Sequence, residues 1–206
     1  MHNKAIILAD GAFPQHTIPL DMLKSGMDII CCDGATTKLV AAGMEPSYIV
    51  GDLDSIPQDL KVKYADRLVY MPDQDTNDLT KAINFSIEKA YDTIYILGAT
   101  GLREDHTLGN ISLLIQYAMK GINVQMLTDY GTFIPLLATA TLKSYKRQQI
   151  SIFQLTTDTL ITTSGLMYAV DKRAFRQWWE GTLNEALSDT FEVRFDKGEV
   201  IVFLSH

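Results

Sequence analysis

Hydrophobic and polar positions follow two periods along the first two-thirds of the chain. Short apolar runs at Lys4–Ala9, Asp28–Cys32, Tyr48–Val50, Arg67–Tyr70, Thr93–Leu97 and Asn123–Leu127 predict strands. Between them apolar residues recur at helical spacing, first at Leu79, Ala82, Ile83, Ile87 and Ala90, then at Leu108, Ile111, Leu114, Ile115 and Ala118. Gly43 and Gly121 follow helix candidates, at the place of a C-terminal cap. This alternation predicts an α/β N-terminal domain whose mostly parallel sheet is covered on both faces. After Asp129 the texture changes. Ser151–Leu155, Thr159–Thr163, Phe191–Phe195 and Val200–Leu204 are short, β-branched or aromatic, and separated by polar turns. Asp196-Lys197-Gly198 reads as a hairpin turn before the last strand. The expected organisation is an α/β domain over residues 1–130 and an all-β domain over 131–206. The seam is expected near Leu127 to Pro135, with no internal repeat and no low-complexity linker.

Composition narrows the partners. The 206 residues are 47% hydrophobic and 21% charged, enough apolar content for packed cores and too little charge for global disorder. Eighteen basic against 25 acidic side chains give a formal charge of −7, and the densest basic run, Lys143 to Arg147, reads as a solvated loop. Nucleic acid, which needs a basic face, is not an expected partner. No run approaches the about eighteen apolar residues of a membrane helix, so no membrane partner is expected. The N-terminal apolar run is too short for a signal peptide and reads as a buried strand. Cys31 and Cys32 are adjacent, which suits neither a disulfide framework nor a CxxC metal pair, and a cytoplasmic location is expected.

The candidate chemistry is acidic and falls after strands. In Gly51-Asp52-Leu53-Asp54-Ser55, residues two apart in extended backbone point the same way, so Asp52 and Asp54 can share a hard cation, Mg²⁺ first. The alternative is a turn in which the acids bond local amides and Ser55 caps a helix opening at Pro57. Asp73-Gln74-Asp75-Thr76-Asn77-Asp78 opens the next helix, where Asp75 or Thr76 can serve as cap and Asp78 favours the positive helix end. Gly98-Ala99-Thr100-Gly101-Leu102-Arg103-Glu104-Asp105-His106 pairs glycines at a strand end with a helix N-terminus, a combination that admits phosphate. Arg103 can clamp phosphate oxygens, Asp105 can bind metal or cap, and His106 reads as a packing or locally bonded residue. Asp10-Gly11 and Asp33-Gly34 follow the first two strands. All five segments fall at the C-terminal strand edge, the ligand crevice of an open parallel sheet. Neither GxxxxGK[ST] nor GxGxxG is present. The residues alone point to a Mg²⁺-dependent enzyme acting on a nucleotide or another phosphate ester.

These segments resemble the thiamine pyrophosphokinase family. The matching elements are Asp33-Gly-Ala, Pro46 leading to Gly51–Ser55, Pro72–Asp78, Gly98–His106 with Asn110, and Thr163-Ser-Gly-Leu-Met-Tyr168. The resemblance implies an α/β domain joined to a C-terminal β-sandwich that binds thiamine and forms a homodimer, with active sites between subunits. It implies transfer of pyrophosphate from the co-substrate ATP to the thiamine hydroxyl, giving thiamine diphosphate and AMP. Carried over, Asp52, Asp54, Asp78 and Asp105 would surround Mg²⁺. Asp10, Gly11, Asp33, Gly34, Ser55, Gly98, Arg103 and His106 would line the nucleotide site. Gln74, Asp75, Ser164, Tyr168 and Asn184 would face thiamine. Asp52, Asp54, Asp75, Asp78, Arg103 and Asp105 form the implied catalytic set. Tyr168 and Met167 stand where the family often has Trp and Lys, Leu102 where a second Gly is common, Asn77 where Thr is common, and Ala35 where Gly is. Trp178 and Trp179 match nothing in the family pattern and read as core or dimer contacts. The alternatives are a diphosphokinase for another small alcohol such as a pterin, and a non-catalytic thiamine or nucleotide sensor.

Overall fold

The computed structural model describes residues 3–206. It divides into one compact unit of Met1–Ser112 with Gly121–Asp129 and a second of Leu113–Lys120 with Tyr130–His206.

The first unit alternates strands and helices: β1 (Lys4–Leu8), α1 (Thr17–Leu23), β2 (Asp28–Cys32), α2 (Ala35–Ala41), β3 (Tyr48–Gly51), α3 (Gln58–Lys63), β4 (Leu68–Tyr70), α4 (Asp78–Glu88), β5 (Thr93–Leu97), α5 (Glu104–Met119) and β6 (Asn123–Leu127). The second half of α5, from Leu113, groups with the other unit. The six strands are parallel in the order β6-β5-β1-β2-β3-β4. Ala5 to Leu8 are essentially buried, as are Ile29 to Cys32, because helices cover both faces of a parallel sheet. Each such aliphatic side chain contributes about 1.5–3 kcal/mol on leaving water. The chain runs outward from β1 through β4 and then returns to add β5 on the other side of β1. The topological switch therefore lies between β1 and β5, and a crevice opens at their C-terminal ends.

Helix ends follow local chemistry, with departures from the sequence expectation. Gly43 (φ 77°) ends α2 as expected: its N–H bonds Val40 O at 2.9 Å, and Met44 N–H bonds Leu39 O at 3.2 Å. At α4 the cap is Asn77, whose side chain accepts the Thr80 N–H at 2.9 Å; neither Asp75 nor Thr76 takes that place. Pro57, not Ser55, precedes α3, and no side chain caps that helix. The apolar stripes are also narrower than their periodicity. Ile87 and Leu108 are exposed, and Ala90 lies beyond the helix at φ 61°.

The second unit is antiparallel: β7 (Gly131–Leu136), β8 (Ala140–Lys143), β9 (Gln149–Gln154), β10 (Thr162–Ser164), β11 (Asn184–Glu185), β12 (Thr190–Arg194) and β13 (Val200–Ser205). Strands β11-β9-β13-β7 form one layer and β10-β12-β8 the other. Ile150, Ile152, Val200 and Val202 from the first pack with Phe191 and Val193 from the second, a sandwich core that also includes Ile161, Leu166 and Phe175. Asp196-Lys197-Gly198 is not a hairpin turn: β12 pairs with β8 and β10, β13 with β7 and β9, so the segment carries the chain from one sheet to the other. Trp178 and Trp179 are not core residues, and Trp179 is 73% exposed. No helix among the described residues is long and apolar enough to cross a membrane.

Candidate active site

The crevice is framed by main-chain bonds between the loops after β1 and β5. Ala9 N–H reaches Leu97 O at 2.8 Å, Gly11 N–H reaches Gly98 O at 2.6 Å, and Ala12 N–H reaches Thr100 O at 2.8 Å. A Cβ on Gly11 would stand 2.4 Å from Gly98 O, and one on Gly98 (φ 64°) 2.6 Å from Ala9 O, so only glycine fits either place. Lys38, on α2, fixes the first loop. Its ammonium donates to the carbonyls of Asp10 (2.9 Å) and Gly11 (2.8 Å) and pairs with the Asp10 carboxylate at 2.7 Å. Gly34 lets that carboxylate close in, since a Cβ there would lie 2.5 Å from Asp10 Oδ2.

The resulting cavity, about 500 Å³, is lined by the end of β2, by residues following β1, β3 and β5, by the loop before α4 and by the start of α4 and α5. Asp10, Gly11, Asp52, Gln74, Asp78, Arg103 and His106 all reach its wall. Next to Asp52 lies the acidic cluster: carboxylate oxygens of Asp33, Asp52 and Asp54 stand within 4.8 Å of one another. Asp33 is 2% exposed. Its Oδ2 accepts the Ser55 N–H at 3.0 Å, while Oδ1 has no hydrogen-bond partner. Burial pushes this carboxyl above its ordinary range, and the charges of Asp78, Asp52 and Asp54 push the same way. Asp52 is held low, first by the Asp54 N–H and then by the Gln74 amide, each at 3.3 Å. Ser55 Oγ donates to Asp54 Oδ1 at 2.9 Å. A buried carboxylate oxygen left without a donor, beside two more hard oxygens, suits a hard cation.

The remaining acids are differently engaged. Asp73 folds its own loop, accepting from Asp75 N–H at 3.0 Å and from the Thr76 hydroxyl, which holds it below the usual carboxylate range. Asp75 is exposed in that loop. Asp78 pairs with Lys81 at 3.1 Å. Asp105 takes both forks of the Arg103 guanidinium, which holds the Asp105 carboxyl below the usual carboxylate range and strengthens the hold of Arg103 on its proton. It is absent from the Asp33–Asp52–Asp54 cluster. Lys38 and Lys81 were missed in the sequence. Lys81 stands three residues after Asp78, which signals a helical ion pair but not its burial.

In the second unit, Ser164 Oγ donates to Glu192 at 3.3 Å. Asn184 is buried and grips the Tyr168 segment by its main chain: Tyr168 N–H to Oδ1 at 3.1 Å, and Nδ2 to Tyr168 O at 2.7 Å. Tyr168 as a whole is left 68% exposed.

The acids at Asp33 carry a testable cost. A carboxyl whose folded-state acidity is weakened by burial loses stability as pH rises from its unfolded value through its folded one, and the penalty persists above that. Asp33→Asn keeps an acceptor for Ser55 and removes the charge. In metal-free buffer at pH 7 the variant should melt above the native protein, with the difference vanishing near pH 3. An unchanged melting temperature at both pH values would show that the folded protein carries the Asp33 charge at no cost, its acidity unshifted by burial.

Fold and site together define a doubly wound α/β protein with an acidic ligand crevice at its switch point, joined to an antiparallel β unit. The family model for the thiamin pyrophosphokinase catalytic domain matches residues 21–126, and that for the thiamin pyrophosphokinase substrate-binding domain matches 131–203. The chain belongs to the thiamine pyrophosphokinase family. A thiamine pyrophosphokinase of Bacillus subtilis is 38% identical over 99 residues, 46% of each chain, and thiamin pyrophosphokinase 1 of Caenorhabditis elegans 36% over 78 residues, 35% of this chain and 32% of its own. The matched stretches thus span less than half of these relatives' lengths. A crystal structure of thiamine pyrophosphokinase from Bacillus subtilis superposes with a TM-score of 0.84 at 25% identity, covering 98% of both chains. Yeast thiamin pyrophosphokinase gives 0.82 at 16% identity over 99% of this chain and 86% of its own, a likeness of fold.

Proposed function

We propose that the protein transfers a pyrophosphoryl group from ATP to the hydroxyl of thiamine, giving thiamine diphosphate and AMP. The observation that carries this reading is that Asp52, whose carboxylate converges with those of Asp33 and Asp54, also lines the cavity at the β1/β5 switch point. Asp52 and Asp54, with Asp33 behind them, would hold Mg²⁺, and Asp78 would face the same space. A bound Mg²⁺ supplies charge neutralisation for the phosphoryl oxygens. The chain's own part is positioning. The glycine-framed loop after β1 and the N-terminus of α5 receive the nucleotide, with Arg103 and His106 at the wall. Gln74, which donates to Asp52, and Asp75 would receive the thiamine hydroxyl. In the second unit, Asn184 sets the Tyr168 segment, whose open ring face suits a cationic thiazolium, with Ser164 nearby in sequence. A homodimer with active sites between subunits is part of the proposal.

The test mixes purified protein with thiamine, ATP and Mg²⁺ and separates the products. AMP should form in step with thiamine diphosphate. ADP with thiamine monophosphate would overturn attack at the β-phosphorus, and thiamine binding without any product would favour a sensor. Tyr168→Ala should raise the KM for thiamine about tenfold, a cation–π contact of roughly 1–2 kcal/mol, and leave the KM for ATP in place. If neither moves, the ring does not meet thiamine.

A further inference from the structure

Lys81 is the buried cation of the crevice. It is 5% exposed, and it is the only lysine or arginine among the described residues' buried set. It sits in the first turn of α4 and lines the cavity with Asp78, Asp52 and Gln74. An ammonium carries three donors. The structure shows one acceptor for it among the described residues, Asp78 Oδ1 at 3.1 Å, which leaves two N–H groups beside an open polar cavity. Burying an ammonium with two donors idle is costly unless something else binds them. Its charge also reaches Asp52 and Asp73, which it helps keep ionised. Arg103, the other cation proposed for phosphate, is largely exposed and has both forks on Asp105. A polyphosphate inside the cavity therefore finds two uncommitted donors at the buried Lys81, while the exposed Arg103 already gives two of its five to Asp105.

We propose that Lys81 binds an oxygen of the nucleotide's phosphate chain inside the crevice, and is a catalytic residue in addition to the acids. This rests on the reading of the crevice as an ATP site. Pairing with Asp78 orients Lys81 when the site is empty; its idle donors turn to the phosphate when it is full.

The test is equilibrium binding of Mg·ATP, adenosine and inorganic tripolyphosphate to the native protein, Lys81→Met and Lys81→Gln. Loss of a charge-assisted contact should weaken Mg·ATP and tripolyphosphate about 10- to 100-fold and leave adenosine unchanged. Lys81→Gln retains a donor for Asp78, so it reports on phosphate binding if Lys81→Met does not fold. Equal affinity of native and variant for all three ligands would overturn the proposal, and so would an equal loss for adenosine and ATP, which marks a purely structural lysine. The two readings fail separately. If the native protein binds tripolyphosphate through Lys81 but does not bind ATP, the nucleotide reading falls and the phosphate contact stands. If the native protein turns over ATP and the variants bind it normally, only the Lys81 assignment falls.

Discussion

Asp54→Asn should lower turnover at least about a thousandfold, roughly 4 kcal/mol of transition-state stabilisation, while the melting temperature stays within a degree or two. The asymmetry follows from the geometry. Asp54 is exposed, and its one side-chain hydrogen bond, from Ser55 Oγ, is one that an asparagine carbonyl accepts as well. Folding therefore gains almost nothing from the charge. The Asp33–Asp52–Asp54 cluster, by contrast, loses a full negative charge from the three oxygens that converge there. Steady-state kinetics with saturating thiamine and ATP, alongside thermal melts, measure both quantities. Turnover within tenfold of the native value would remove Asp54 from the proposed metal site and leave the acidic turn a structural one.

Gly11→Ala should act in the opposite order, on the fold of the crevice first. Its methyl would enter the space of Gly98 O and Thr100 O, both main-chain atoms that cannot swing away. Either the loop after β1 or the loop after β5 must retreat, and the Gly11–Gly98 and Ala12–Thr100 bonds go with it. Overpacking costs about 1–3 kcal/mol and each lost bond about 1. The sum, about 3–5 kcal/mol, corresponds to a melting temperature lower by roughly 6–20 °C. ATP affinity should fall as well, because the same amides border the cavity. Gly109→Ala is the control. It lies in α5 with nothing within 4 Å of its added carbon, so it should be neutral or slightly stabilising through helix propensity. If Gly11→Ala melts with Gly109→Ala, the two loops are not locked together.

The strands of the first unit were legible because burial on both faces writes itself as continuous apolar runs. Asp28–Cys32, Thr93–Leu97 and Asn123–Leu127 lie where the pattern puts them. Strands β7 and β8 were not. Pro135 interrupts one, since proline lacks the ladder donor, and β8 alternates half-buried and exposed residues without a strong apolar signal. The sheet change at Asp196–Gly198 was illegible because a turn sequence does not say which sheet receives the next strand. At the site, the five acidic and glycine-bearing loops were legible as a group from their common place after strands. Their partition was not: that Asp33 would join Asp52 and Asp54, and that Asp105 would close on Arg103, depends on distances that spacing does not contain. The caps were misplaced for a similar reason. Asp75, Thr76 and Asn77 all suit an N-cap, and the loop folded by Asp73 decides among them.

The β1–β5 pairing also has a kinetic consequence. Lys4 faces Thr93 and Leu8 faces Leu97, so this seam joins segments far apart in the chain, whereas β1, β2, β3 and β4 pair in sequence order. Closing the long loop is an entropic cost that precedes any contact across it. The seam, and the loops it brings together, should therefore form late, after the local strand–helix units. Changes there would speed unfolding far more than they slow folding. The crevice would be the first part of the first unit to open.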